Sequence, residues 1–92
     1  MTYESTLAAY RTLLADRQGE ALEIGDECFA VLVDGQLFGV QQDHNGQVKI
    51  EDAFDFDRSG WDDENDCWDA DVTAMQSSNA IANPRYVEIT KS

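Results

Sequence analysis

CFAVLVDGQLFGVQQDHNGQVKIE, residues 28–51, decides the fold. Cys28 to Val33 is rich in β-formers, and Asp34-Gly35 is a strong hairpin signal because both residues accept positive φ. Leu37 to Gln42 answers as a second strand. Asp43-His44-Asn45-Gly46 is a second turn, and Gln47 to Glu51 alternates polar and apolar as a third strand with one wet face would. Two tight turns in succession make residues 28–51 an antiparallel meander.

Upstream, Tyr3, Leu7, Tyr10 and Leu14 recur at helical spacing, so residues 2–17 read as a helix with one apolar face. Thr2 caps its start, Glu4 suits the positive end of the dipole, and Gly19 suits the stop. Downstream, Trp68, Val72 and Met75 hint at a short second helix from Asp66 to Ser77, ended by the breaker-rich Gln76 to Asn79. Residues 85–90 read as a last strand, with Tyr86 and Glu88 on one face and Val87 and Ile89 on the other. The expected class is α+β in a single domain over residues 1–92, an N-terminal helix on a small antiparallel sheet.

Composition excludes several classes. With 92 residues, 42% hydrophobic and 10% aromatic, the chain has material for one modest core. No apolar run nears the roughly 20 residues of a membrane span. Met1-Thr2-Tyr3-Glu4 has neither the basic nor the apolar region of a signal peptide, so the expected location is cytoplasmic. Cys28 and Cys67 form no CxxC pair, and His44 is the only histidine. Reduced, packed thiols are expected, and a zinc site is not.

The net charge of −13 is concentrated. Glu51, Asp52, Asp55, Asp57, Asp62, Asp63, Glu64, Asp66, Asp69 and Asp71 fall within residues 51–71, against the single base Arg58. That segment carries −9 and the other 71 residues carry −4. Asp55, Asp57, Ser59, Gly60, Asp63 and Asp66 match the oxygen and glycine positions of an EF-hand-type loop, which makes calcium an alternative reading. Asp62 stands where such loops place an aliphatic residue, and the entering segment alternates like a strand rather than a helix.

Phe54, Phe56, Trp61 and Trp68 interleave the acids. Aromatic anchors rimmed by charge suit a protein-binding surface, whereas the same aromatics in a core would hold an acidic ridge rigid. The expected partner surface comprises the ten acids together with Trp61, centred on Asp62, Asp63, Glu64 and Asp66. Concentrated negative charge costs self-repulsion, and carboxylates at phosphate-like spacing can occupy a channel built for nucleic acid.

The chain, with its isoelectric point of about 4.1 and the cluster Glu51 to Asp71, resembles the small acidic inhibitors of phages and mobile elements, the DNA-mimic and anti-CRISPR type. No motif defines that class, so no residue roles carry over. The resemblance implies an inhibitor, without catalytic activity or cofactor, of a basic nucleic-acid-binding protein or CRISPR effector complex, binding neither nucleic acid nor membrane itself. An acidic accessory subunit docking on a basic partner is a further alternative. Enzymatic chemistry is not expected: no glycine-rich phosphate loop occurs, and neither Ser59 nor Cys67 has a histidine at a suggestive position.

Overall fold

A computed structural model describes residues 2–68 and 76–90. In chain order the elements are α1 (Tyr3–Leu14), β1 (Glu20–Gly25), β2 (Cys28–Val33), β3 (Gln36–Gln41), β4 (Trp61–Asp62), β5 (Cys67–Trp68), α2 (Ser77–Ala82) and β6 (Tyr86–Glu88). Two 3-10 turns, Ile50–Asp52 and Arg58–Gly60, precede β4. The main sheet runs β3-β2-β1-β6 with antiparallel neighbours, and β4 with β5 forms a separate hairpin. The α+β class expected of the sequence is the observed one.

α1 starts at a capping box. Thr2 Oγ1 accepts from the Ser5 amide and Ser5 Oγ accepts from the Thr2 amide, each at 3.0 Å. Tyr10 and Leu14 are buried on its inner face, with Tyr3 and Leu7 packed beside them. The helix stops at Leu14, three residues short of the expected Arg17, whose amide instead bonds the Leu14 carbonyl at 3.0 Å.

β1 is the strand that periodicity misses. Ala21 and Leu22 are both fully buried, on opposite faces of the sheet, so Glu20 to Gly25 shows no wet-face alternation. One face packs Leu22, Ile24, Ala30 and Leu37 against Tyr10, Leu14 and Ala80 from the helices. The other packs Ala21, Phe29, Val31 and Val40 against Val48, which the loop after β3 inserts. The Asp34-Gly35 turn forms as read, with φ of 51° and 81°, and pairs Val33 with Gln36.

Two expectations fail. Gln47 to Glu51 is not a third strand of the meander, which is instead β1-β2-β3. The Asp43 carboxylate accepts from the amides of Asn45 and Gln47, both at 2.9 Å, and the turn closes on itself rather than on β3. Val48 enters the core while Ile50, expected on the same face, stays 42% exposed. The edge of β3 is met by Phe54, whose backbone exchanges two 2.8 Å bonds with Gly39.

The second helix is also displaced. Asp66 takes positive φ in a turn, Cys67 and Trp68 are strand, and the helix begins at Ser77, where breakers had suggested an end. Short polar residues open helices as readily as they close them, and the Ser77 amide finds the Asp66 carbonyl at 2.9 Å. Val72 and Met75 lie outside the described residues. The last strand is shorter than expected but keeps its faces, with Tyr86 on the helix side and Val87 and Ile89 on the other.

Gly39 leaves room for the Phe54 ring, since a Cβ there would stand 2.7 Å from two ring carbons. Gly39→Ala is expected to cost about 1 kcal/mol, the low end of overpacking, because the half-exposed Phe54 ring can swing outward. In a Phe54→Ala background the same change should be neutral or slightly stabilising, because alanine is favoured over glycine in a strand. Denaturant unfolding of the four proteins checks this, and equal cost in both backgrounds would show that the ring is not what Gly39 accommodates.

Candidate functional site

The acidic segment begins where the chain leaves the far face of the sheet, at the 3-10 turn Ile50–Asp52, and crosses to the helix side through Phe54 and Phe56. There it is rooted in aromatic rings. Trp68 stands 4.6 Å from Phe56 and 4.6 Å from Trp61 between ring centroids, 5.8 Å from Tyr3 and 6.2 Å from Tyr10. The Trp68 indole N–H donates to the Asp57 carbonyl at 3.0 Å, and the Tyr3 hydroxyl donates to the Phe56 carbonyl at 3.1 Å. Each bond fixes a backbone group of the acidic segment against α1 or the hairpin.

Two of the acids spend their charge on local structure. Asp57 Oδ1 accepts from the Ser59 amide at 3.0 Å and opens the Arg58–Gly60 turn. Asp62 Oδ1 accepts from the amides of Glu64 and Asn65, and its Oδ2 accepts from Asn65 Nδ2 at 2.7 Å, which closes the β4–β5 hairpin. These bonds hold both carboxyls below the usual range, through the Ser59 amide for Asp57 and the Asn65 side chain for Asp62. Asp43 is lowered likewise, first by the Gln47 amide.

The other acids divide by exposure. Glu51, Asp52, Asp55, Asp63 and Glu64 are exposed, and Asp66 is half-buried at the end of the hairpin turn. Asp69 and Asp71 lie outside the described residues. Arg58, the one base of the segment, rests over the Tyr3 ring at 5.2 Å from its centroid. The result is a run of exposed carboxylates, hereafter the ridge, along a segment whose backbone is fixed at Phe56 and Asp57.

The aromatics take a different place from that of surface anchors. Trp61 is 9% exposed and Trp68 8%, and both belong to the helix-side core. Trp61, read as part of a partner surface, is thus a core residue, and its indole nitrogen has no acceptor among the described residues. The large apolar side chains left exposed among the described residues are Ile50 and Phe54, each 42% exposed and flanking Glu51 and Asp52. Ile50 was missed because it alternates with Val48, a pattern that reads as core.

For a cation the segment offers charge without convergence. Among the described residues no three His, Cys, Asp or Glu side chains cluster as a metal would require. Asp57 and Asp62 face backbone amides, and Trp61 lies in a strand rather than in the middle of a ligand loop. Cys28 and Cys67 are buried and unbridged, and His44 is exposed at the tip of the Asp43–Gly46 turn. No helix among the described residues is long and apolar enough to cross a membrane.

No protein-family model matches the chain, and comparison with curated proteins and with solved structures finds no match. What the site can do therefore rests on its own chemistry.

The lowered carboxyls set an acid limit to stability. Asp43, Asp57 and Asp62 titrate in the folded protein below their ordinary value of 3.8. Their contribution is present above that value and is lost as pH falls through the folded pKa. Relief of self-repulsion acts oppositely, so the melting temperature should hold or rise from pH 7 to about pH 5 and then fall below about pH 3.8. Salt should flatten the rise and spare the fall. Asp57→Asn with Asp62→Asn, which keeps an accepting oxygen that does not titrate, should soften the fall. An acid limb untouched by both changes would mean that these turns do not govern it.

Millimolar calcium and magnesium should raise the melting temperature by the same small amount, through screening alone. Stabilisation of several kcal/mol by calcium, on the order expected for a micromolar site, would restore the loop reading.

Proposed function

We propose that the protein is a non-enzymatic acidic inhibitor whose ridge occupies the polyanion-binding surface of a nucleic-acid-binding protein complex of bacterial defence. The observation that carries this reading is the rooting of the ridge: exposed carboxylates stand on a backbone pinned by Trp68, Tyr3 and Phe56. A solubilising surface needs no such fixing. A mimic of phosphates does, because pre-ordered charge avoids the entropy lost when a flexible acidic loop is immobilised on binding.

The charge distribution supports the same reading. The segment from Glu51 to Asp71 carries −9, with its one base, Arg58, over the Tyr3 ring. Such a surface repels nucleic acid and steers a Lys/Arg-lined channel toward itself. The partner's own ligand would be displaced by the same electrostatics that bind it. Cytoplasmic action inside a bacterial host follows from that target.

The test removes charge without disturbing the turns. Asp52→Asn, Asp55→Asn, Asp63→Asn and Glu64→Gln together spare the capping residues Asp57 and Asp62. The wild type, immobilised at low salt in a bacterial lysate, should retain a basic nucleic-acid-binding complex that added DNA or RNA or moderate salt releases. The fourfold variant should bind that complex about 100-fold or more weakly, since close interfacial charge pairs each contribute more than about 1 kcal/mol. Its stability should be unchanged or higher. Equal affinity of the variant, or a complex indifferent to nucleic acid and salt, would refute the proposal.

A further inference from the structure

Beside the ridge, at the end of the sheet where the β2–β3 turn, the C-terminus of α1 and the chain after β6 meet, lies an open groove of about 590 Å³. Leu14, Leu32, Ile50 and Ile89 form much of its lining, and Asp34 and Glu51 are the acids that line it. Glu51 belongs to both groove and ridge, so the two surfaces are continuous. Ile50 is 42% exposed and joins neither core cluster, although it sits within a 3-10 turn that could have turned it inward.

We infer that this groove receives an apolar side chain of a basic partner segment, with flanking Lys or Arg residues paired to Asp34, Glu51 and the adjoining ridge. The inference rests on the reading of the ridge as a surface for a basic partner and names what that partner must present. Charge decides the occupant. A second copy of the chain, also carrying −13, is repelled, as are nucleic acid and anionic lipid. The C-terminal end of the 12-residue α1, which opens onto the groove at Leu14 and Ala15, adds partial negative charge from its carbonyls. An apolar side chain seated in the groove would also exclude water from the pairs at Asp34 and Glu51 and strengthen them.

Two fluorescein-labelled pentapeptides of equal charge separate the groove from the ridge: Arg-Lys-Phe-Lys-Arg and Arg-Lys-Gly-Lys-Arg. Measured by anisotropy on the full chain at low salt, the phenylalanine peptide should bind about tenfold more tightly, as partial burial of one aromatic side chain implies. Ile50→Ser, at a position outside both cores, should lower the phenylalanine peptide to the level of the glycine peptide and leave the latter unchanged. Equal affinity of the two peptides for the wild type, or a preference that survives Ile50→Ser, would overturn the groove inference. The ridge reading fails separately: it falls if the Asp52, Asp55, Asp63 and Glu64 amide variant binds both peptides as tightly as the wild type.

Discussion

Trp68 stands where the forces that hold the acidic segment meet those that disperse it. Two unit charges ~8 Å apart in water repel by about 0.5 kcal/mol, and salt reduces that further. Burying one large aromatic contributes about 1.5–3 kcal/mol, with about 0.5–1.5 kcal/mol more for each well-placed ring pair. Trp68 contacts four rings and donates its indole proton to the Asp57 carbonyl. The aromatic term wins, and it wins at the residues that alternate with the charges. That is why residues 51–68, for all their charge, can have one backbone path instead of many.

The rest of the architecture follows from a sheet that needs two covers. The helix side receives α1, α2 and the aromatic cluster. Among the described residues no helix covers the far side, and the chain between β3 and β4 supplies Val48 and Ala53 to it. Val48 is held there partly by its carbonyl, which accepts from the Thr90 amide at 2.7 Å. Having served the far face, the same chain must return to the helix side to reach Phe56 and Trp61. The return path runs around the β3 edge through Phe54 and Gly39, and it exposes Ile50 and Phe54 on the way. The exposed apolar pair and the start of the ridge are thus products of one crossing.

Much of this was legible in the sequence wherever one local pattern had one outcome. Asp34-Gly35 demanded positive φ and became a hairpin, and the Tyr3-Leu7-Tyr10-Leu14 stripe became the inner face of α1. The failures share a physical cause, which is that a pattern can be satisfied in more than one tertiary setting. Ala21-Leu22 looks unlike a strand because both faces of β1 are buried. Val48 and Ile50 look like strand neighbours, yet one fills the far core and the other faces water. Gln76 to Asn79 have the polarity of a helix end and serve as a beginning. For the site, the position and sign of the charge were readable from composition, whereas the depth of Trp61 depended on packing that no local spacing encodes.

The acids themselves do two kinds of work, and the structure sorts them where composition could not. Asp43, Asp57 and Asp62 each accept backbone amides, bonds that favour the charged carboxylate and so lower its pKa. Asp52, Asp55, Asp63 and Glu64 stand exposed, and two of them, Asp63 and Glu64, lie in the turn that Asp62 closes. Asp55 precedes the turn that Asp57 opens. Removing a capping carboxylate would therefore displace its neighbours as well as delete a charge, and a lost interaction would be credited to the wrong residue. The free charge of Asp63 and Glu64 can be weighed only against an intact Asp62, because that carboxylate builds the turn from which both are displayed.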